Sequence, residues 1–168
     1  MALSHICHFD DDDWSHPDRV AIQVERLRTS GKAFTGFSRM YFYNQDGSAF
    51  MMTGGAFGTS QCYLRSFWEY HRFPEIQTTE DVLFAQSAEA EGVADLISGE
   101  GLMVARRHGK NTWDNINILD LRRCTPVYIS SLPRGFLDAL GIPIDPEYVP
   151  GSFPPPLIHK SYGITPAR

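Results

Sequence analysis

Four consecutive aspartates occupy residues 10–13 and directly follow a short apolar stretch at residues 2–9. The apolar stretch predicts a buried strand, so the aspartates stand at its carboxyl end. Adjacent carboxylates repel one another, and two interpretations are open: a solvated acidic loop beside a helix N-terminus, or a site for a hard divalent cation. Open α/β sheets place ligand sites at the carboxyl ends of strands, which favours the second interpretation.

A helix is predicted directly after the aspartates. Ser15 and Asp18 have the spacing of a capping box, with Ser15 as the N-cap. Gly31 is predicted to end this helix. The apolar residues that recur at helical spacing between these limits are Val20, Val24 and Leu27.

In the next part of the chain, apolar and polar residues alternate as they do in β-strands. Residues 34–43 and 48–52 predict a hairpin with a turn at residues 44–47. A short strand is expected near residues 61–64, and a helical turn is expected at residues 65–70.

A second capping box, Thr78 with Asp81, predicts another helix that continues to about residue 91. Residues 102–105 predict a short apolar strand. Most of the prolines follow residue 125, where only residues 136–140 look helical. We therefore divide the chain into an α/β part at residues 1–124 and an irregular, Pro-rich tail at residues 125–168.

Composition excludes several classes of protein. A net charge of −5 and a pI near 5.6 provide no basic surface for nucleic acid. Three cysteines without CxxC spacing argue against a disulfide framework or a structural zinc site. No apolar run approaches the ~20 residues of a transmembrane helix, and no signal peptide is recognised. We expect a cytoplasmic protein, with peripheral attachment to a membrane left open.

Residues 6–19, I-C-H-F-D-D-D-D-W-S-H-P-D-R, resemble the segment h-h-D-x-D-D-W-x-x-P-D-R-L of family 2 glycosyltransferases, where h is apolar. The resemblance maps Asp10 and Asp12 onto the DxD pair. It implies that Asp10 reaches the nucleotide ribose and that Asp12 binds the metal that bridges the diphosphate. Asp11 takes the variable position on the donor side, and a one-residue ambiguity in register is left open.

A glycine-rich stretch resembles a second landmark of the same family. Residues 54–68 begin G-G-A-F-G-T-S-Q-C-Y and end in a tryptophan, like the stretch G-G-x-x-x-Y-R-R-x-x-W. The resemblance implies that Gly54, Gly55 and Trp68 contact the sugar or the acceptor, because a backbone without Cβ can approach a sugar closely. An ordinary turn beside a core tryptophan is the alternative interpretation.

Two later motifs complete the resemblance. Glu80 and Asp81 resemble the xED motif, whose aspartate is the general base in inverting members; a capping role for Asp81 is the compatible alternative. His108 resembles a late histidine that completes the metal site, and imidazole is a fair ligand for Mn²⁺. Asp10 would join this metal site, and Arg107 would meet the diphosphate charge.

The resemblance implies a partial GT-A fold: a Rossmann-like α/β domain with a mixed sheet and flanking helices. Residues 1–124 would be its metal-binding and acceptor-side part. The implied activity depends on Mn²⁺ or Mg²⁺ and moves a sugar, with inversion, from a nucleotide-diphosphate-sugar donor. The acceptor would be a hydroxyl of a carbohydrate, a lipid-linked group or a protein.

The resemblance also implies a nucleotide-binding half upstream of the DxD pair, which this sequence does not contain. A homodimer or a complementary N-terminal half would then be expected to cover the first strand. A non-catalytic remnant or interaction module is the alternative to an enzyme. A phosphoryl-transfer or hydrolytic enzyme is a weaker third interpretation, since it leaves the later motifs unexplained.

Overall fold

The computed structural model describes residues 4–108 and 123–142, which form a mixed α/β fold with a curled sheet and flanking helices. The described sheet contains strands β1 (His5–Cys7), β2 (Trp14–Ser15), β3 (Phe34–Asn44), β4 (Ala49–Thr53), β5 (Cys62–Leu64), β6 (Ala94–Ser98), β7 (Met103–Arg107) and β8 (Cys124–Val127). The helices are α1 (Arg19–Ser30), α2 (Arg65–Tyr70), α3 (Glu80–Ala90) and α4 (Arg134–Ala139). The predicted mixed sheet with flanking helices is confirmed.

Strand β3 organises the sheet. Its first residues pair antiparallel with β5 and parallel with β6, and its later residues pair antiparallel with β4 and parallel with β7. Because this one strand has neighbours on both edges along its length, it joins the two halves of the sheet. Strand β1 pairs antiparallel with β5, and β2 pairs antiparallel with β7. The acidic turn, residues 10–13, therefore runs from one half of the sheet to the other.

The predicted hairpin is confirmed as β3 and β4, which face each other from Arg39–Thr53 to Tyr43–Ala49. Gly47 has a φ of 83°, a left-handed conformation that glycine adopts without steric cost. Its N–H donates to the carbonyl of Asn44 and closes the turn. The predicted short strand and the helical turn at residues 65–70 are also confirmed, as β5 and α2.

Helix α1 begins later than predicted. Ser15 is not its N-cap: it lies in β2 opposite Met103, and the first helical residue is Arg19. Asp18 occupies the N-cap position but makes no capping hydrogen bond with its side chain. The capping box is wrong because strand pairing holds Ser15 in an extended conformation. Gly31 ends the helix as predicted, with a φ of 67°.

The buried face of α1 is also different from the predicted one. Arg19, Gln23 and Leu27 are buried, whereas Val20 is 37% exposed. The apolar spacing suggested a face containing Val20, but the surface beneath α1 includes backbone carbonyls of neighbouring loops. Polar side chains are needed there, because buried carbonyls require hydrogen-bond donors.

Helix α3 spans Glu80–Ala90, and its predicted capping box with Thr78 does not form. Thr79 is the N-cap, with a φ of 68° and no capping hydrogen bond from its side chain. The carboxylate of Asp81 instead accepts a hydrogen bond from the Val82 N–H at 2.8 Å. Asp81 therefore does not form the predicted capping box.

The predicted boundary between residues 124 and 125 falls within β8, which pairs with β4. Helix α4 follows it and buries Phe136 and Leu137 in a cluster with Val104 and Ala49. The described residues after 124 are therefore packed on the sheet. The rest of the predicted tail, residues 143–168, lies outside the described residues. None of the helices in the described ranges is long and apolar enough to cross a membrane.

Candidate active site

A cleft of about 1100 Å³ opens at the acidic turn, and we call it the acidic cleft. Five parts of the chain line it: residues 9–13, Phe42 of β3, residues 57–59, residues 77–82 and residues 105–108 at the end of β7. The predicted site residues that line it are Asp10, Asp11, Asp12, Glu80, Asp81, Arg107 and His108. Residues that are up to 98 positions apart in the sequence thus face one cavity.

Asp13 anchors the acidic turn to the fold. Its Oδ1 accepts a hydrogen bond from the backbone N–H of Arg106 at 2.9 Å, and its Oδ2 accepts one from Thr59 Oγ1 at 2.8 Å. Burial raises the pKa of Asp13 to about 6, although these two hydrogen bonds oppose the shift. Asp13 therefore joins the turn to β7 and to residues 58–60. Its carboxylate holds the turn in place through these hydrogen bonds.

Asp12 and His108 meet at the opening of the cleft. His108 Nε2 donates a hydrogen bond to Asp12 Oδ2 at 2.7 Å, and the two side chains are 37% and 26% exposed. Asp11 is exposed beside them. The pKa of Asp10 is raised by partial burial of its carboxyl and by repulsion from Asp12. These neighbouring carboxylates give the opening a concentrated negative charge.

Arg19 lies completely buried beneath the acidic turn. Its Nη2 donates to the carbonyl oxygens of His8 at 2.7 Å and Thr59 at 2.9 Å, and its Nη1 donates to Ser15 Oγ at 3.1 Å. Its Nε donates to Gln23 Oε1 at 3.0 Å. Burial lowers the pKa of Arg19, while the nearby carboxylates of the acidic turn favour its charge. One cation therefore holds three chain segments together and offsets part of the charge above it.

Gln23 continues this polar support. Its Nε2 donates to the carbonyl of Ser60 at 2.7 Å, and the hydroxyl of Ser60 accepts a hydrogen bond from the Phe37 N–H at 2.9 Å. The 3-10 turn Gly58–Ser60 is thereby fixed between α1 and β3. Thr59, in the middle of this turn, is the residue that binds Asp13.

Asp81 lies against Gly58. A Cβ built on Gly58 would overlap the carboxylate of Asp81, so a larger residue at position 58 would displace that carboxylate. Gln61 Nε2 also donates to the backbone carbonyl of Asp81 at 2.9 Å. Burial raises the pKa of Asp81, with a smaller contribution from the charge of Glu80. The carboxyl is consequently more basic than an ordinary aspartate.

His8 holds the Gly58–Ser60 turn through a hydrogen bond from its ring. Its Nδ1–H donates to the carbonyl of Gly58 at 3.1 Å, because a carbonyl can only accept. Nε2 is then left to accept from the hydroxyl of Tyr63 at 2.8 Å. Burial lowers the pKa of His8, which favours this neutral form. The His8 ring is thus fixed by two hydrogen bonds next to the acidic turn.

Arg107 lines the cleft, but its guanidinium is directed towards the hairpin. Its Nη1 donates to Asn44 Oδ1 at 3.3 Å, and its guanidinium carbon lies 5.9 Å from the centre of the Phe50 ring. Its Nε is buried and has no hydrogen-bond partner among the described residues. Arg107 therefore lies in the cleft lining while its Nε faces the interior, where none of the described residues accepts a hydrogen bond from it.

Three other predicted site residues lie outside the lining of the acidic cleft. Gly54 lies near the Phe57 ring, and Gly55 is exposed beside Glu89. Trp68 packs against the apolar cluster around α2 and α3, and the Arg72 guanidinium lies 3.7 Å from its ring centre. The close approach that glycine permits occurs at Gly58 instead.

The described residues contain no group of three or more His, Cys, Asp or Glu side chains arranged as a metal site. The donors at the opening nevertheless have suitable chemistry. Asp12 and His108 offer a carboxylate and an imidazole in contact, with Asp10 beside them. Mg²⁺ and Mn²⁺ are commonly held by few protein ligands, with water and substrate phosphates in the other positions. The residues present fit such a partly formed site.

Comparison with known proteins yields no match to a family model, a curated protein or a solved structure. The function of the chain must therefore be inferred from the residues of the acidic cleft.

Four residues that shape the cleft were not predicted as part of a site. They are His8, Arg19, Gly58 and Thr59. Arg19 stood in the quoted helix-start motif, and Gly58 and Thr59 stood in the quoted glycine-rich motif. The motifs thus contained a signal, but the roles depend on contacts between segments that are distant in the sequence.

Proposed function

We propose that this chain carries the metal-binding and acceptor-side part of a GT-A glycosyltransferase domain similar to family 2. Its reaction would transfer a sugar from a nucleotide-diphosphate-sugar donor to an acceptor hydroxyl, with inversion. One observation carries the proposal: the acidic turn, the start of α3 and the end of β7 bring Asp12, Asp81 and His108 to one cleft. These are the residues that the ordered motifs single out.

Asp12 and His108 would hold the divalent cation, with Asp10 beside them. Support comes from their direct contact of 2.7 Å and from the acidic surroundings, which favour a cation. The bound cation would neutralise charge on the leaving diphosphate, which is Lewis-acid chemistry. Arg107, at the end of β7, would add positive charge to this part of the cleft lining.

Asp81 would act as the general base for the acceptor hydroxyl, with Glu80 next to it at the start of α3. A general base needs a position in the cleft and a pKa higher than that of an ordinary carboxylate. Asp81 has both, because it lines the cleft and because burial raises its pKa. Its contact with Gly58 and the fixed 58–60 turn hold the carboxylate in place.

The proposal is tested by incubating the purified chain with Mn²⁺ and uridine, guanosine and thymidine diphosphate sugars, and measuring release of the nucleoside diphosphate. We expect release from at least one donor and a decrease of about 100-fold or more in Asp81→Asn. Glu69→Gln, on the exposed side of α2, is the control and should react like the wild type.

Two results would contradict the proposal. If the wild-type chain releases nothing from any donor, the interaction-module alternative is favoured over an active enzyme. If Asp81→Asn reacts as fast as the wild type, Asp81 is not the base, and the assignment of the cleft as a glycosyltransferase site loses its catalytic residue.

A further inference from the structure

Cys7 in β1 and Cys62 in β5 lie directly opposite each other in an antiparallel strand pair. Both are free cysteines, and their Sγ atoms are 2.8 Å apart. Cys62 is buried, whereas Cys7 is partly exposed. Nothing in the proposed reaction uses either thiol.

The strand register explains why the two thiols meet. The N–H of His8 donates to the carbonyl of Gln61, and the N–H of Arg65 donates to the carbonyl of Ser4. Because hydrogen-bonded and non-hydrogen-bonded pairs alternate along antiparallel strands, Cys7 and Cys62 form a non-hydrogen-bonded pair. In such pairs the Cα atoms are about 4.5 Å apart, which is within the range that a disulfide spans.

We propose that Cys7 and Cys62 form a reversible disulfide when a hydroperoxide such as H₂O₂ reaches Cys7. The Cys7 thiolate attacks one peroxide oxygen; the O–O bond breaks, giving a sulfenic acid and hydroxide, which is protonated to water. The Cys62 sulfur then attacks the Cys7 sulfur; the S–O bond breaks, and the hydroxyl leaves as water with the Cys62 proton. Two thiols and one peroxide give one disulfide and two waters, with two electrons passing from sulfur to oxygen.

The surroundings assign different roles to the two sulfurs. A hydrogen bond with Cys62 lowers the pKa of Cys7, burial opposes this, and the Arg19 guanidinium lowers it further. The same hydrogen bond and burial raise the pKa of Cys62. Cys7 is therefore the thiolate that meets the oxidant, and Cys62 is the resolving thiol.

The bond would fix the strand that leads into the acidic turn. Cys7 immediately precedes His8, whose carbonyl binds Arg19 and whose ring supports Gly58. A disulfide between positions that are 55 residues apart constrains the unfolded chain. We expect the oxidised chain to have a melting temperature higher by about 5 °C or more.

The experiment treats the folded chain with a small excess of H₂O₂, blocks remaining thiols and identifies linked peptides by mass spectrometry. The expected product is an intramolecular Cys7–Cys62 peptide pair that is lighter by two hydrogen atoms and is released by dithiothreitol. Cys124→Ser is the matched control, because Cys124 lies in β8 at the opposite end of the strand order from β1. This variant should form the same bond, whereas Cys7→Ser and Cys62→Ser should not.

Three results would overturn the proposal, and none of them depends on the glycosyltransferase assignment. The first is that Cys7 and Cys62 both stay alkylatable after oxidation of the folded chain. The second is that Cys7 proceeds to a sulfinic acid without forming a link. The third is that the only disulfides detected involve Cys124 or join two copies of the chain.

Discussion

The two ends of the acidic turn consist of the same residue type but have different surroundings. At the anchored end, Asp13 accepts hydrogen bonds from Thr59 and from the backbone of Arg106. At the open end, Asp11 is exposed and Asp12 meets His108 at the mouth of the cleft. The fold thus divides a run of identical carboxylates into one that holds the turn and others that face the cleft.

We expect the largest change in stability when Arg19, which supports the anchored end, is replaced. Arg19→Met keeps most of the side-chain length but removes the donors to the partly buried carbonyls of His8 and Thr59. Leaving such acceptors unsatisfied should lower the free energy of unfolding by about 3 kcal/mol. Urea unfolding measures this as a lower midpoint at an unchanged slope.

Arg26→Met is the matched control in the same helix. Arg26 is exposed and donates to Asp95, so its loss should cost less than about 1 kcal/mol. Equal destabilisation by the two substitutions would show that the buried network beneath the acidic turn contributes nothing beyond a surface ion pair.

Gly58→Ala tests the packing at the opposite wall of the cleft. The new Cβ would overlap the Asp81 carboxylate, so either Asp81 or the Gly58–Ser60 turn must move. We expect a loss of about 2 kcal/mol in the free energy of unfolding, typical of overpacking. Gly55→Ala is the control, because its nearest atom, Glu89 Oε1, would be at an ordinary 3.6 Å. If both variants are equally stable, the close approach at Gly58 is not a constraint.

Asp13→Asn tests the anchored end through the pH dependence of the free energy of unfolding, measured in metal-free buffer. The pKa of Asp13 is raised by burial from 3.8 to about 6, so the folded chain binds this proton more tightly than the unfolded chain. The contribution of Asp13 to stability is present below pH 3.8 and is lost as the pH rises through about 6. The asparagine variant should therefore gain stability relative to the wild type across this interval, as measured by urea unfolding at each pH.

Asp46→Asn provides a control of opposite sign. Hydrogen bonds from Ser48 lower the pKa of Asp46, so its contribution to stability is lost as the pH falls below its ordinary value. If the two variants show the same pH dependence, the assignment of Asp13 to a buried, proton-retaining position is wrong.

Sequence patterns predicted some of the local elements. The alternation and turn chemistry at residues 34–52 predicted the hairpin, and Gly31 marked the end of α1. These features depend on neighbouring residues and on backbone conformations that particular residue types favour. The motif residues Asp12, Asp81 and His108 were also predicted as members of one site, and all three line the acidic cleft.

Patterns failed where distant segments decide the outcome. Val20 fitted an apolar stripe, but α1 turns Arg19 inward because the carbonyls beneath it need donors. Ser15 fitted an N-cap, but it pairs with β7 in the sheet. The role of Gly58 requires knowing that α3 places Asp81 against it.

The smallest effect on stability is expected at the open end. Asp12→Asn keeps the shape of the side chain and removes one of several repelling carboxylates, so the free energy of unfolding should change by less than about 0.5 kcal/mol. Urea unfolding at pH 7 measures this change. A loss similar to that of Arg19→Met would place Asp12 among the residues that hold the turn, which would contradict the division between the two ends.

Whether the open end of the acidic turn holds a metal can be tested by measuring Mn²⁺ binding in the presence of uridine or guanosine diphosphate. The electron paramagnetic resonance signal of free Mn²⁺ follows the binding. We expect nucleotide-dependent binding that weakens at least about tenfold in Asp12→Asn and in His108→Ala but not in Glu69→Gln. Equal binding by the wild type and Asp12→Asn, or no binding by the wild type, would contradict the assignment of the open end as a metal site.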